Sequence, residues 1–323
     1  MTDQIFAYIT HKNGVADDSA LELSVAAGKI NADAAVTAIV AGAGDSLSAV
    51  CDEMAKAYPT VWKLDNDALA YPNAEVIRNV LASILPDNAM VLVPHDTFGM
   101  DLSPGLSVKM NAAFISDVVD VEGLSDNTLT IVRQEYGGQV STHVAADISS
   151  GAVINVRPGV FQPDDIAAVS GEVVDKSDDI EITDAKRRFL ETVEAEVGDV
   201  DITKSDVLVS VGRGIEDEDN LEIAFDLAKA MGADVSCSRP IVDAKWMEKS
   251  RQVGTSGQTV KPKVYLAAGI SGSFQHLGGL KGNPFIIAIN KNTKAPIFQV
   301  ADVGIEADIL DFLPELTEAI EEL

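Results

Sequence analysis

Arginines, hydroxyls and glycines collect just after apolar runs in the second half of this 323-residue chain. Arg213 stands between Gly212 and Gly214, after the run 206–211, and Ser238 and Arg239 follow the run 233–237. The segment Gly269, Ile270, Ser271, Gly272, Ser273, Phe274, Gln275, His276 follows 263–267, and Asn290 follows 285–289. If these runs are parallel strands, their carboxyl ends share one edge, which is where open α/β sheets bind ligands. Small, hydrogen-bonding and cationic groups meeting there suit a long ligand that carries phosphates.

Each group also has a plain alternative. Gly-x-x-Gly recurs in many turns, but after a strand it lets backbone N–H groups approach a pyrophosphate, and a following helix adds its positive end. Gln275 and His276 supply donors for a carbonyl-rich ring, although a lone histidine is more often a satisfied structural residue. Arg239 precedes Pro240, so an extended backbone is expected there. It reads either as half of a surface ion pair or as a guanidinium that stabilises negative charge on a bound ring. Val253, Gly254, Thr255, Ser256 and Gly257 form an ordinary turn or a loop whose two hydroxyls bond a ring nitrogen. No nucleophile–base pair and no metal-ligand cluster is recognisable.

The elements that must position these groups follow from periodicity. In the first half strand and helix alternate as in an α/β domain. Strands are expected at 5–10, 34–40, 61–64 and 89–93, and helices at 19–29, 46–58, 74–85 and 102–114, the last opened by Ser103-Pro104-Gly105. The runs between 118 and 156 read as edge strands or hairpins. Residues 163–205 form a charged joint holding one helix at 184–197, and the boundary is drawn near residue 200. The second unit has strands at 206–211, 233–237, 263–267, 285–289 and 297–300. Its first helix is stopped by Gly232, and its last is broken at Pro314. The expectation is two α/β domains, 1–200 and 201–323. Each has a mainly parallel sheet flanked by helices, and the second is Rossmann-like.

Read in order, these segments resemble the α subunits of electron transfer flavoproteins (the ETF α, or FixB, family). The matching pieces are Gly212 to Gly214, Ser238 to Pro240, Gln252 to Gly257, Leu266 to His276, Ala288 to Asn290, Ala295 to Phe298 and Ala301 to Asp308. They cover nearly the whole second half. In the first half only Val91 to His95 and Val156 to Phe161 are similar. The resemblance implies one FAD. Arg213 and Ser238 would meet its phosphate and ribityl region. Val253, Gly254, Thr255 and Ser256 would lie against the isoalloxazine, in the loop closed by Gly257, with the Ser256 hydroxyl near N5 and Arg239 over the ring. Ser271, Gly272, Ser273, Phe274, Gln275 and His276 would contact pyrophosphate, ribityl and ring, with His276 close to the C2 carbonyl. Asn290, Asp308 and Ile309 would hold the adenosine end. Thr255-Ser256 replaces the usual Gln-Thr, Leu280 a usual Met and Val303 a usual Tyr; none of these removes an anchor.

The implied function is an electron carrier that takes electrons from partner dehydrogenases and passes them to a downstream acceptor such as a membrane quinone oxidoreductase. A smaller β subunit would complete a heterodimer, packed on the first domain. Three other readings compete with it: a subunit of an electron-bifurcating NADH-linked complex, a flavin- or nicotinamide-dependent dehydrogenase, and a nucleotide-sensing module. Neither half carries a full Gly-x-Gly-x-x-Gly after its first strand.

A formal charge of −27 argues against nucleic acid as a partner. The charge is uneven, at −20 over residues 1–200 and −7 over 201–323, with five basic residues against Glu248 between Lys245 and Lys263. That stretch is a solvated loop or a receiver of an anion. No apolar run approaches twenty residues, no basic leader precedes the first strand, and Cys51 and Cys237 lie far apart. These features fit a cytoplasmic protein with no membrane span.

Overall fold

The structure is a computed structural model and describes residues 4–136, 138–163, 168–191 and 200–322. The chain divides into two compact units, Met1–Glu191 and Thr192–Leu323.

The first unit opens with β1 (Gln4–Ile9) and a small hairpin, β2 (His11–Lys12) and β3 (Val15–Ala16). It continues through α1 (Ser19–Ile30), β4 (Ala35–Gly42), α2 (Asp45–Met54), β5 (Thr60–Asp65), α3 (Ala74–Ile84), β6 (Met90–Pro94), α4 (Thr97–Met110), β7 (Ala113–Ser125), β8 (Thr128–Glu135), β9 (Val140–Asp147), β10 (Ala152–Val156) and β11 (Glu172–Asp175). Nine of these strands form one sheet in the order β11-β5-β4-β1-β6-β10-β7-β8-β9. It is parallel from β11 to β7, and antiparallel where β8 and β9 are added at the edge. Because strand side chains alternate faces, Ile5, Ala7 and Ile9 pack with α1 and α2, while Phe6 and Tyr8 pack with α3 and α4. The buried Glu22 carboxylate accepts from the backbone N–H groups of Gly159, Val160 and Phe161, which pins the turn after β10.

Several expectations are corrected here. The helix expected at 102–114 runs over Thr97–Met110 instead. It begins at Asp96, whose side chain accepts from the Gly99 N–H at 2.6 Å, and it ends at left-handed Asn111. Pro104 lies inside it, because the carbonyl that loses its donor belongs to the exposed Met100. The run 152–156 is not an edge: β10 is fully buried between β6 and β7. The charged joint supplies a strand of its own, β11, on the edge of β5. Of the helix expected at 184–197, residues 184–191 are not helical and the remainder lies outside the described residues.

The second unit comprises β12 (Val207–Val211), α5 (Leu221–Met231), β13 (Asp234–Cys237), α6 (Arg239–Asp243), β14 (Val264–Ala268), α7 (Phe274–Leu277), β15 (Phe285–Ile289), β16 (Val303–Ile305) and α8 (Ile309–Glu321). All five strands are parallel, in the order β13-β12-β14-β15-β16, so the order reverses between β12 and β14. α5, α6 and α8 cover one face, against Val209, Val211, Leu266 and Ala268. The other face, with Leu208, Tyr265 and Ala267, is covered by Val253, Val260, Ile270 and Ile297 from loops and short turns. Gly232 ends α5 in the left-handed conformation.

Two further expectations fail in this unit. Residues 297–300 are not a strand. Pro296 opens a 3-10 turn, and the Ile297 N–H donates to the Ser271 carbonyl, so the fifth strand is Val303–Ile305. Pro314 does not break α8, which runs through it.

Candidate functional site

A cleft of about 730 Å³ opens at the carboxyl ends of the second sheet, across the reversal between β12 and β14. Its walls are the four segments that follow β12, β13, β14 and β15, together with the loop 252–256. Of the residues expected at the site, Arg213, Ser238, Arg239, Val253, Gly254, Thr255, Ser256, Ser271, Ser273, Gln275, His276 and Asn290 line it. Gly257, Gly272, Phe274, Asp308 and Ile309 do not.

Four of those five have structural work, and Phe274 has none. A Cβ on Gly257 would meet the Gln252 carbonyl oxygen at 2.3 Å, and one on Gly272 would meet the Ile297 nitrogen at 2.4 Å. Phe274 points to solvent, whereas Ile309 is buried against α5 and the sheet. Asp308 caps α8 by accepting from the Leu310 N–H at 3.0 Å, and its second oxygen meets Lys291 Nζ at 2.7 Å. That contact holds its carboxyl below the usual range.

The glycine turns pack against each other. A Cβ on Gly212 would meet the Gly269 carbonyl oxygen at 2.3 Å, and Cβ atoms on Gly214 and Gly269 would each meet the other residue's Cα at 2.8 Å. Gly269 has φ +66°. Glycine is required at these positions for the close approach of two loops, where the sequence suggested access for phosphate. Beyond them the backbone is open. Among the described residues, the N–H groups of Ile270, Ser271, Gly272, Ser273, Phe274 and Gln275 have no protein acceptor. Four of these six residues line the cleft. Successive free donors of this kind form a concavity for anionic oxygens. The helix that follows, α7, is one turn long, so its dipole adds little.

Arg213 is exposed, lines the cleft, and has no carboxylate partner among the described residues. Arg239 is not extended. It opens α6, with Pro240 where no helical N–H is needed, and the extended residue is Ser238. Its guanidinium meets Asp243 at 3.3 Å in an exposed pair. The loop 252–257 is tied at both ends: the Val253 N–H donates to the Cys237 carbonyl and the Thr255 N–H to the Gln275 carbonyl. Within it, Gln252 Nε2 donates to Ser256 Oγ at 2.9 Å. Asn290 turns its amide inward, donating to the Ile270 carbonyl and accepting from the Asn292 N–H. His276 is buried, and burial pulls its pKa down to about 4, with the Val253 carbonyl acting the other way. Its Nε2 lies 2.7 Å from the Tyr265 hydroxyl.

Sequence reasoning missed Glu216, Asp243 and Asn292, which also line the cleft, and gave no role to Gln252 and Ala295, which line it too. Glu216 has φ +69°, an uncommon conformation for a charged residue, and meets Lys291 at 3.0 Å. Only its place two residues beyond Gly214 pointed to it. Among the described residues, no group of three or more His, Cys, Asp or Glu is placed to hold a metal ion. Among the same residues no helix is long and apolar enough to cross a membrane.

Residues 201–281 match the family described as the electron transfer flavoprotein FAD-binding domain, and residues 5–181 match the electron transfer flavoprotein domain. The chain is 36% identical over 306 residues to the electron transfer flavoprotein subunit alpha of Pseudomonas aeruginosa, covering 92% of this chain and 96% of that one. It is 41% identical over 230 residues to the subunit alpha of Methylophilus methylotrophus, covering 71% and 70%. It is 32% identical over 292 residues to protein FixB of Azotobacter vinelandii, covering 87% and 80%. The chain belongs to the electron transfer flavoprotein α-subunit family. As a member it is an FAD-binding electron carrier and not a catalytic enzyme. The cleft suits that cofactor: backbone N–H groups without protein acceptors and an arginine without a carboxylate fit the chemistry of phosphates, and a buried imidazole fits that of a ring with carbonyls.

Proposed function

We propose that this α subunit holds one FAD in the cleft between β12 and β14. The row of six free backbone N–H groups from Ile270 to Gln275, beside the unpaired Arg213, carries this reading. Those groups and Ser238 take the pyrophosphate and ribityl, and the loop Val253 to Ser256 takes the isoalloxazine. When bound, FAD supplies reversible acceptance and release of electrons. The chain's residues bind it, orient it and set the charge around it. Arg239 carries the positive charge that favours a reduced ring once it leaves Asp243, whose pairing with it is exposed and weak. Asn290 acts through Ile270, holding the loop rather than the ligand.

In the same reading a β subunit completes a heterodimer, dehydrogenases deliver electrons to it, and a downstream acceptor removes them. The relatives' name, subunit alpha, supports a partner chain. Two buried cysteines that form no disulfide support a reducing, cytoplasmic setting. The test is co-expression with the neighbouring β chain, followed by a visible spectrum and stepwise dithionite reduction. One flavin per pair is expected. Two flavins would shift the assignment to a bifurcating complex. A colourless complex after incubation with FAD would overturn it, and a stable flavin-loaded monomer would overturn the heterodimer.

A further inference from the structure

Beneath the cleft, four polar side chains lie together on the face of the second sheet that lacks long helices. They are Ser210 on β12, Ser236 on β13, Tyr265 on β14 and His276 on α7. Their exposures are 0%, 0%, 0% and 5%. Ser210 and Ser236 are direct neighbours across β12 and β13, and Leu208, two residues before Ser210, pairs with Tyr265. An apolar set would fill this space at lower cost, since a buried polar group without a partner loses its hydration and gains nothing for it. Such a cluster calls for a use.

Its hydrogen-bond directions can be worked out. Tyr265 Oη and His276 Nε2 are 2.7 Å apart. Burial keeps the imidazole neutral, so one ring nitrogen donates and the other accepts. Burial also raises the pKa of the phenol, so its hydroxyl stays protonated, and the Ser210 and Ser236 hydroxyls make no hydrogen bond of their own. A protonated phenol is the stronger donor and a neutral imidazole nitrogen the stronger acceptor, so across the 2.7 Å contact the phenol's proton points to Nε2. Nε2 is then the acceptor and the ring proton sits on Nδ1. That atom is buried, makes no hydrogen bond of full geometry within the protein although the Val253 carbonyl acts on the ring, and belongs to a residue that lines the cleft.

We propose that Tyr265 is a positioning residue: its hydroxyl donates to Nε2 and thereby holds His276 as the neutral Nδ1–H tautomer, a fixed donor to a carbonyl oxygen of the bound flavin. The proposal rests on the cleft being the FAD site. A donor at a flavin carbonyl gains strength as the ring takes on electron density, so its loss disfavours the reduced cofactor.

The test begins with the full chain carrying 15N-histidine, its four ring systems assigned with His276→Gln. Two-bond 15N–1H couplings then report the tautomer without any flavin. Wild type is expected to show Nδ1–H at His276, and Tyr265→Phe, which keeps the ring's packing, is expected to show a tautomer mixture. In the flavin-loaded complex, Tyr265→Phe should shift the reduced-to-oxidised equilibrium about tenfold toward oxidised, a two-electron potential lower by about 30 mV. Nε2–H in the wild type would overturn the proposal, even if the variant fails to fold. So would a variant that keeps both the Nδ1–H pattern and the potential. Failure of the FAD assignment shows separately, as a wild-type complex that binds no flavin, and it would remove the proposed acceptor as well.

Discussion

An arginine that reaches no carboxylate is held by water or by a ligand, and Arg213 is in that position at the mouth of the cleft. Hydrogen bonds to charged groups contribute about 1.5–3 kcal/mol. Arg213→Gln should therefore weaken FAD binding by roughly 10- to 100-fold, read by flavin-fluorescence titration, and unchanged affinity would exclude it as a phosphate contact. His276 makes a different prediction. Its pKa is 6.5 in an unfolded chain and about 4 in the fold, so between those values the unfolded state binds the extra proton. Stability from this group is complete above pH 6.5 and is lost as pH falls toward 4, by an amount on the order of 3 kcal/mol. Urea melts of wild type and His276→Gln should converge over that window; parallel pH profiles would show that the ring is not held neutral. At this scale the sequence disclosed which residues follow strands, hence Arg213, Ser238 and His276 at the cleft. It did not disclose that the Asn290 and Asp308 side chains are already engaged within the chain, because their partners, Ile270 and Lys291, are set by tertiary packing.

Turns and helices offer paired substitutions of opposite sign. Gly28 is exposed in the last turn of α1, and a Cβ there would meet nothing within 4 Å. Gly28→Ala should therefore stabilise the protein by about 0.5–1 kcal/mol. Gly272 has φ +80° and its Cβ would strike the Ile297 backbone. Gly272→Ala should destabilise by about 2 kcal/mol or more and displace the free N–H row, reducing FAD retention on gel filtration. Thermal melts check both, and equal melting temperatures would refute the packing argument. Periodicity located the central strands because both their faces are buried. It failed at 297–300, where Pro296 and the bond from the Ile297 N–H to Ser271 turn an apolar run into a 3-10 turn. The true edge strand, Val303-Gly304-Ile305, is three residues long with glycine at its centre, a poor strand signal. Pro104 and Pro314 misled for a related reason, since one lost backbone bond does not outweigh a helix face packed on a sheet.

Across the whole chain, acidic residues outnumber basic ones 51 to 24. Ion pairs such as Lys29–Asp120 and Lys263–Asp206 are exposed and contribute little. Repulsion among surplus carboxylates dominates, and salt screens it. The melting temperature should rise as NaCl goes from about 0.01 to 0.15 M, where the Debye length shortens from about 30 to 8 Å; a fall would show that the pairs outweigh the repulsion. Two α/β units were legible from the alternation of periods. That one sheet has long helices on a single face was not, because loop residues such as Val253 and Ile270 carry no periodic signature.

The contact of Gly212 and Gly214 with Gly269 also constrains how this cleft can change over time. Any side chain at one of these positions collides with backbone at another, so no partner substitution can make room for it. Variation in the lineage is thereby pushed to neighbouring hydroxyl and amide positions, and the binding pocket can be retuned while its frame is inherited whole.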